Sequence, residues 1–490
     1  MIYIIIHTIK IHTMTEPDIA LTATGQLHDH RCNPYAYITS IISGSTLRKD
    51  EKDLFGEVFT PLTIISDMLD KLPPSVWTDP NKKWLDPAAG FGNFLMLVYA
   101  RLMTGLATHP DYIDKDPAER SEHIIRRMLY MVEYNPESCA RIREIFGESA
   151  NLLCSSFLDP FDPTTFADGT PLQFDVIVGN PPFNADQTHE GKKGGGSNLW
   201  PKFVEKSLRN KESTLLREDG YLLFVHPALW RKPPSERATV GTLFNKMTHE
   251  NHMLYLEIHS KPDGKRDFGV QTRYDFYLIQ KRRPIPGSDF TIVKDQEGYI
   301  HQLDLSLWRF FLPNHSFELI QPLLTEQEQH YVIFSRSQFG SDKKEWVQST
   351  EDESHQYQLI HSTPIDGPRI YWSSTRDDQP FAPMFGVPKV IFGESGINDV
   401  ILDQEGKYGM TQGAIGLKIP IPRVREGPLM KQALESTVFN RILDAMSFSN
   451  FRIDWRMFLY FRPDFYKDIL DNAKFQRTGR GKNRKAVVSV

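Results

Sequence analysis

Phe174-Asp-Val-Ile-Val-Gly-Asn-Pro-Pro-Phe183 is the stretch from which the rest of the chain can be read. Asp175 to Val178 predicts a short buried strand, because a mostly β-branched run ends abruptly at Gly179. Beyond the glycine the residue types change in kind. Asn180 offers a side-chain carbonyl, Pro181 and Pro182 stiffen the backbone and lack N–H donors, and Phe183 offers a flat aromatic face. Such a corner suits a planar amine: two carbonyl oxygens accept its two hydrogens while its ring lies on the aromatic. The lone pair of an aromatic amine is delocalised into the ring, and two acceptors would turn it out of conjugation toward an electrophile. A strand followed by a proline turn would explain Pro-Pro alone. Asn-Pro-Pro-aromatic directly after an apolar strand and a glycine is a much rarer combination.

Upstream, Trp84-Leu-Asp-Pro-Ala-Ala-Gly-Phe-Gly-Asn-Phe-Leu-Met-Leu-Val98 reads as a strand ending at Asp86, a glycine turn and an apolar helix. A strand–glycine loop–helix unit receives nucleotide-like ligands at the carboxyl end of a parallel sheet. The dinucleotide fingerprint is not met, since Leu95 stands where a third glycine would be, and no Gly-Lys-Ser/Thr of a phosphate-binding loop occurs. Met128 to Glu133 predicts a second strand ending in an acid placed to bind ribose hydroxyls, followed by a helix from Glu137 to about Phe146. Asn151 to Phe157 is strand-like, Leu199 to Leu208 helical, and Gly220 to Val225 a buried strand. Strands alternating with helices predict an α/β fold, a Rossmann-like doubly wound sheet. Before all of these, Phe55-Gly-Glu-Val-Phe-Thr-Pro61 leads into a helical pattern, with Thr60 as N-cap and Pro61 as first helical residue.

Gly56-Glu-Val-Phe-Thr-Pro61, Asp86-Pro-Ala-Ala-Gly-Phe-Gly-Asn-Phe94 and Asn180-Pro-Pro-Phe183, in this order, resemble the gamma class of DNA adenine-N6 methyltransferases over roughly residues 54 to 283. The resemblance implies that Phe59, Thr60, Pro61, Asp86, Ala88, Gly90, Gly92, Glu133, Ser156 and Phe157 hold S-adenosyl-L-methionine. It implies that Asn180, Pro181, Pro182 and Phe183 form the catalytic corner for a flipped-out adenine, whose other face would stack on Phe268. It further implies double-stranded DNA as partner, a monomer, no metal, and room for a separate restriction endonuclease. One departure stands out: the family often carries Asp-Phe after the third strand, and this chain carries Ser156-Phe157.

Composition sets the wider frame. With 490 residues, two or three domains are expected, and 40% hydrophobic and 12% aromatic residues suit sizeable cores. The expected division is an N-terminal extension (1–50), a methyltransferase domain (51–285), a mixed α+β target-recognition domain (286–473) and a basic tail (474–490). The turn-rich Arg282-Arg-Pro-Ile-Pro-Gly287 marks the central boundary, and Glu257 to Gln280 reads as a late hairpin closing the first sheet. Beyond it come Tyr331–Phe334, Ile370–Trp372, Lys389–Phe392 and Ile415–Ile419 as short strands, and one helix from Leu429 to Met446. The net charge of −5 gives no global argument for nucleic acid, so any polyanion contact is local, with Lys192, Lys193 and the tail lysines and arginines as candidates. Cys32, Cys139 and Cys154 are scattered without a Cys-x-x-Cys pair, which argues against a disulfide framework or a cysteine zinc site. Cytoplasm, or another reducing compartment with access to DNA, is the expected location. Met1-Ile-Tyr-Ile-Ile-Ile6 is too short for a membrane helix and lacks a signal-peptide pattern; Met14 is an alternative start.

The same corner serves RNA base and protein-glutamine methyltransferases, but these resemble shorter chains. A fused nuclease has too few residues ahead of Gly56 for a core of its own. A cytosine-C5 enzyme needs a Pro-Cys nucleophile, and the cysteines here follow Arg31, Ser138 and Leu153. A catalytically dead DNA-binding relative is disfavoured by the intact Asn180 and glycine loop.

Overall fold

The computed structural model describes residues 60–159, 172–183, 198–209, 215–232, 243–308, 311–325, 329, 331–334, 339, 345–377, 384–448 and 453–477. Phe59, the 1–50 extension, Cys32, the loop with Lys192 and Lys193, and the tail beyond residue 477 lie outside the described residues.

Helix α1 (Leu62–Leu69) precedes β1 (Trp84–Asp86), α2 (Asn93–Gly105), α3 (Pro117–His123), β2 (Leu129–Glu133), α4 (Pro136–Phe146), β3 (Asn151–Cys154) and β4 (Phe174–Gly179). There follow α5 (Trp200–Ser207), β5 (Leu216–Pro227), α6 (Leu243–Thr248), β6 (His252–His259), α7 (Lys261–Phe268), β7 (Tyr274–Gln280), β8 (Thr291–Lys294) and β9 (Ile300–Leu303). These strands form one sheet in the order β3-β2-β1-β4-β5-β7-β6-β8-β9. The first five are parallel, and β7 runs antiparallel between β5 and β6. The order reverses between β1 and β4, which is the switch point where doubly wound sheets open a crevice at their carboxyl ends. It is a doubly wound α/β sheet, as the alternation of strands and helices predicts.

β1, β2 and β4 are buried along their whole length. That is why they read as continuous apolar runs rather than alternating ones. Val176 and Val178 enter one core with α1 and α2, while Ile177 enters the opposite core with Trp200, Phe203 and Val204 of α5.

Three local expectations are corrected. Pro61, not Thr60, stands before the first helical residue: its ψ of 139° is extended and its carbonyl accepts the Ile65 N–H at 3.1 Å. The expected hairpin contains a helix, α7, because Ser260 and Asp263 form a reciprocal capping box in the intervening segment. The sheet also continues across the Pro-Ile-Pro-Gly turn: β8 pairs parallel to β6, and β9 pairs to β8, so residues 286–303 join the first sheet.

The cysteine expectation is corrected too. Cys139 on α4 and Cys154 at the end of β3 meet as a disulfide, with Cα atoms 6.1 Å apart, because the helix folds straight back along the strand that follows it.

After α8 (Phe317–Ile320), the chain builds two further four-stranded sheets. One is β10 (Val332–Phe334), β17 (Ala414–Lys418), β14 (Lys389–Gly393) and β15 (Gly396–Asp403); the other is β11 (Val347–Gln348), β13 (Arg369–Ser373), β12 (Tyr357–Ser362) and β16 (Gly409–Met410). Helices α9 (Gly427–Leu434), α10 (Thr437–Ala445) and α11 (Phe465–Arg477) pack on the first of these sheets. The single helix expected over Leu429–Met446 is two, because the Ser436 hydroxyl accepts the Phe439 N–H at 3.1 Å and starts α10 afresh. Among the described residues no helix is long and apolar enough to cross a membrane.

A buried ion pair within the first half anchors the segment that leads into the second. Arg231, 0% exposed, donates to both carboxylate oxygens of Asp275 at 2.7 and 3.1 Å, and Trp230 Nε1 donates to the same carboxylate at 2.9 Å. The remaining guanidinium donors reach the carbonyls of Leu312 and Pro313 and the Asn314 side-chain oxygen. Asn314 in turn donates to Ser447 O at 2.9 Å, and its own N–H to Ala445 O at 2.7 Å. Removing one member of a buried pair leaves the other charge desolvated and alone, at a cost of about 3–5 kcal/mol. Arg231→Ala is therefore expected to lower the denaturant midpoint of unfolding sharply, whereas Arg441→Ala, which breaks the half-exposed pair with Glu297, shifts it by less than about 1 kcal/mol. Equal effects of the two substitutions would contradict the role given to the buried pair.

Candidate active site

The site is assembled at the carboxyl ends of β1, β2, β3 and β4. Asp86 closes β1 with its carboxyl fully buried; Oδ1 accepts the Ala88 N–H at 3.1 Å, and Oδ2 has no hydrogen-bond partner. Burial pushes its pKa up to about 8; the Ala88 N–H opposes this and the neighbouring Glu133 adds to it. Gly90 and Gly92 take φ of 53° and 84°, left-handed values that glycine adopts without penalty, and Gly92 leads directly into α2.

Glu133 ends β2 and holds the glycine loop from the side. One carboxylate oxygen accepts the Gly90 N–H at 2.7 Å and the other the Asn135 N–H at 2.8 Å.

At the end of β3, Phe157 is buried, while Ser156 is half-buried with Oγ accepting the Leu158 N–H at 3.2 Å. This bond uses one acceptor position of the serine and leaves its hydroxyl hydrogen available. Asp159 is exposed, with its N–H on Ser156 O at 3.2 Å.

Gly179 ties these parts to the Asn180–Phe183 corner. Its φ is 153°, and a Cβ placed on it would lie 2.8 Å from Asp86 Oδ1. Asn180 follows, half-buried, then buried Pro181, exposed Pro182 and half-buried Phe183. Leu199 N–H donates to Phe183 O at 3.1 Å and brings the chain back to the corner.

Phe268, expected opposite Phe183 across a base, is buried and packed edge-on against it. It closes α7, is 1% exposed, and meets Phe183 at 6.5 Å between centroids and 71° between planes. Its other neighbour is Tyr274, edge-on at 4.8 Å, which itself stacks on His259 at 4.2 Å. Thr60 and Pro61 stand at the start of α1, which packs on α2. Two residues beside the site escaped the sequence reading: Phe203 and Lys206.

The residues present fit an adenosine-bearing cofactor. An unpartnered oxygen of Asp86, the Glu133 carboxylate that grips the glycine loop, and open space around Gly90, where a Cβ would meet nothing within 4 Å, come together at the carboxyl end of the sheet. No group of His, Cys, Asp and Glu able to hold a metal occurs among the described residues.

Residues 114–258 match the family model described as Eco57I restriction-modification methylase. That interval contains Glu133 and Asn180 to Phe183 but not the glycine loop, so it bears out the resemblance to adenine-specific methylases on residues beyond the first two motifs. A protein of Mycoplasma pneumoniae named "Uncharacterized adenine-specific methylase" is 25% identical, over 36% of this chain and 55% of its own length. The chain thus spans about half of the curated relative it matches. Among solved structures, the M protein of the type I restriction enzyme EcoKI is similar over 50% of this chain and 49% of its own (15% identity, TM-score 0.36). The type IIL restriction-modification enzyme MmeI is similar over 92% and 71% (12% identity, TM-score 0.44).

The raised pKa of Asp86 has a measurable consequence. Between the ordinary value of 3.8 and about 8, the folded chain holds a proton that the unfolded chain has lost. Its contribution to stability is therefore full at low pH and is lost as pH rises through that window. The unfolding midpoint of the wild type is expected to fall more steeply between about pH 5 and pH 8 than that of Asp86→Asn. Parallel profiles would show that Asp86 titrates normally.

Proposed function

We propose that this chain transfers a methyl group from S-adenosyl-L-methionine to the exocyclic N6 amine of an adenine flipped out of duplex DNA, at a specific site. The observation that carries this reading is the contact of Gly179 with Asp86. It sets the amine-holding corner beside the glycine loop, so two half-sites that mean little apart become one reaction cleft.

In this reading the cofactor, when bound, supplies an electrophilic methyl group. Glu133 accepts hydrogen bonds from its ribose, Gly90 and Gly92 let the backbone approach it, and Ser156 and Phe157 border its adenine. Asn180 accepts one hydrogen of the target amine through its side-chain carbonyl, and a backbone carbonyl of the corner accepts the other. The two bonds fix the amine and aim its lone pair, and positioning of this kind supplies much of the rate gain. Phe183 stacks on the base and recovers part of the few kcal/mol that flipping costs. Phe268, backed by Tyr274, braces Phe183 edge-on, rather than closing the pocket from the other face.

We assign base-edge readout to the C-terminal half, from about residue 304 to 473, and phosphate contacts to the basic tail with Lys192 and Lys193. A separate restriction endonuclease as partner fits the same reading.

Labelled cofactor tests the assignment directly. Duplex DNA is expected to become methylated at adenine N6, and label found only on RNA or on protein glutamine would overturn the DNA reading. Asn180→Ala is expected to lower kcat by about 10²–10³-fold, the scale of losing one preorganised hydrogen-bond partner. Its cofactor affinity, measured by calorimetry, should stay within about twofold of wild type. Undiminished turnover would remove Asn180 from the catalytic corner.

A further inference from the structure

Helix α5 touches both halves of the cleft. Its N-terminal end is fixed to the catalytic corner: the Leu199 N–H reaches Phe183 O, and Trp200, fully buried, stacks on His226 at 4.0 Å and 17°. Its C-terminal end is fixed to the loop after β3. The Phe203 ring stacks on Phe157 at 5.2 Å and 26°. One turn further on, Lys206 Nζ donates to the carbonyl oxygens of Phe157 and Asp159, the second at 2.9 Å, and lies 4.8 Å from the Phe157 ring.

A lysine in the last turn of a helix is favoured by the helix dipole, and an exposed one would satisfy that preference equally well. Lys206 is not left in solvent. It is half-buried, and burial pulls its pKa down to about 8, with Arg209 adding to the effect and Asp159 opposing it. Desolvating an ammonium has a cost, offset here by charge-assisted bonds to two carbonyls of one four-residue loop. Together with the two turn bonds made by Ser156, this contact holds the backbone of Ser156–Asp159.

We propose that Lys206 is a positioning residue for the cofactor site, holding the Ser156–Asp159 loop in the shape that receives the adenine moiety and tying that loop through α5 to the Asn180–Phe183 corner. This rests on the methyltransferase reading above. Because one short rigid helix carries both attachments, ordering of the loop by cofactor stiffens the end of the helix that supports Phe183. Cofactor and target base then bind cooperatively.

The full-length chain, as wild type, Lys206→Met and Lys206→Arg, provides the test. S-adenosyl-L-methionine affinity is measured by calorimetry with and without a target duplex, and amide hydrogen exchange of Leu158 and Asp159 is measured without cofactor. Lys206→Met keeps the aliphatic length and removes the donors. It is expected to raise the cofactor Kd about five- to tenfold, a fraction of what a charged hydrogen bond contributes, because the lost bonds reach the cofactor only through the loop. It should also speed exchange at both amides and abolish the tightening of cofactor binding by DNA. Lys206→Arg should restore most of each effect, and the loss should fall more heavily on Kd than on kcat at saturating cofactor. Phe203→Leu, which removes the ring stack and keeps apolar bulk, should move the same readouts in the same direction, so a poorly folded methionine variant leaves the idea testable. Wild-type binding with an unchanged methionine variant overturns the role of Lys206 alone. Weakened DNA binding with unchanged cofactor Kd would make Lys206 a phosphate contact instead. A wild type that does not bind the cofactor overturns the methyltransferase reading itself.

Discussion

The site depends on a close approach between two strand ends: the backbone at Gly179 passes so near Asp86 that a methyl group placed there would sit 2.8 Å from a carboxyl oxygen. Only glycine permits that distance, because nothing projects from its Cα. The contact fixes β4 beside β1 at the point where the strand order reverses, and thereby sets where Asn180 emerges relative to the glycine loop. It also seals the Asp86 carboxyl from water, which is why that group favours its proton near neutral pH. One steric constraint thus sets the geometry of the corner and the electrostatics of the loop.

Glu133 extends the constraint sideways. Its carboxylate spans the Gly90 and Asn135 amides, so the loop after β1 and the turn after β2 hold one another in place. Such a loop is organised before any ligand arrives, and less conformational entropy is lost when one binds. The exception is the loop after β3, whose backbone carbonyls depend on a side chain from the far side of the catalytic corner.

Much of this was legible from the chain because the signals are local. The parallel strands announced themselves as apolar runs bounded by Asp86, Glu133 and Gly179, since both faces of each are covered. The glycine loop and the Asn-Pro-Pro-Phe corner each fit within ten residues, so type and spacing could be read together. The features that were missed are those whose partners lie far away in sequence. Lys206 looks like any lysine on a helix, as the carbonyls it reaches lie 49 and 47 positions earlier. The α7 segment is polar, with only Gly264 and Phe268 buried, and so carries almost no apolar periodicity; its helix is decided by the Ser260–Asp263 cap. Pro-Ile-Pro-Gly reads as a boundary because it is a turn, yet a turn does not prevent Ile292 and Val293 from pairing with Tyr255 and Leu256. Cys139 and Cys154 meet only because α4 doubles back along β3, which spacing alone does not specify.

The Arg231–Asp275 pair shows how the two halves bear on one cleft. A buried ion pair is weak evidence for stability, since desolvation offsets most of the attraction. Its value here is geometric: a bidentate guanidinium tolerates little rotation, and its other hydrogen bonds reach the segment Leu312 to Asn314. Asp275 is the neighbour of Tyr274 on β7, and Tyr274 packs on Phe268, which packs on Phe183. Asn314 is joined to the end of α10 through Ala445 and Ser447. A continuous series of contacts therefore runs from the end of α10 to Phe183. Flexibility at this join would displace Phe183 along with the segment Leu312 to Asn314, so the burial of the pair, costly in itself, keeps the two in register.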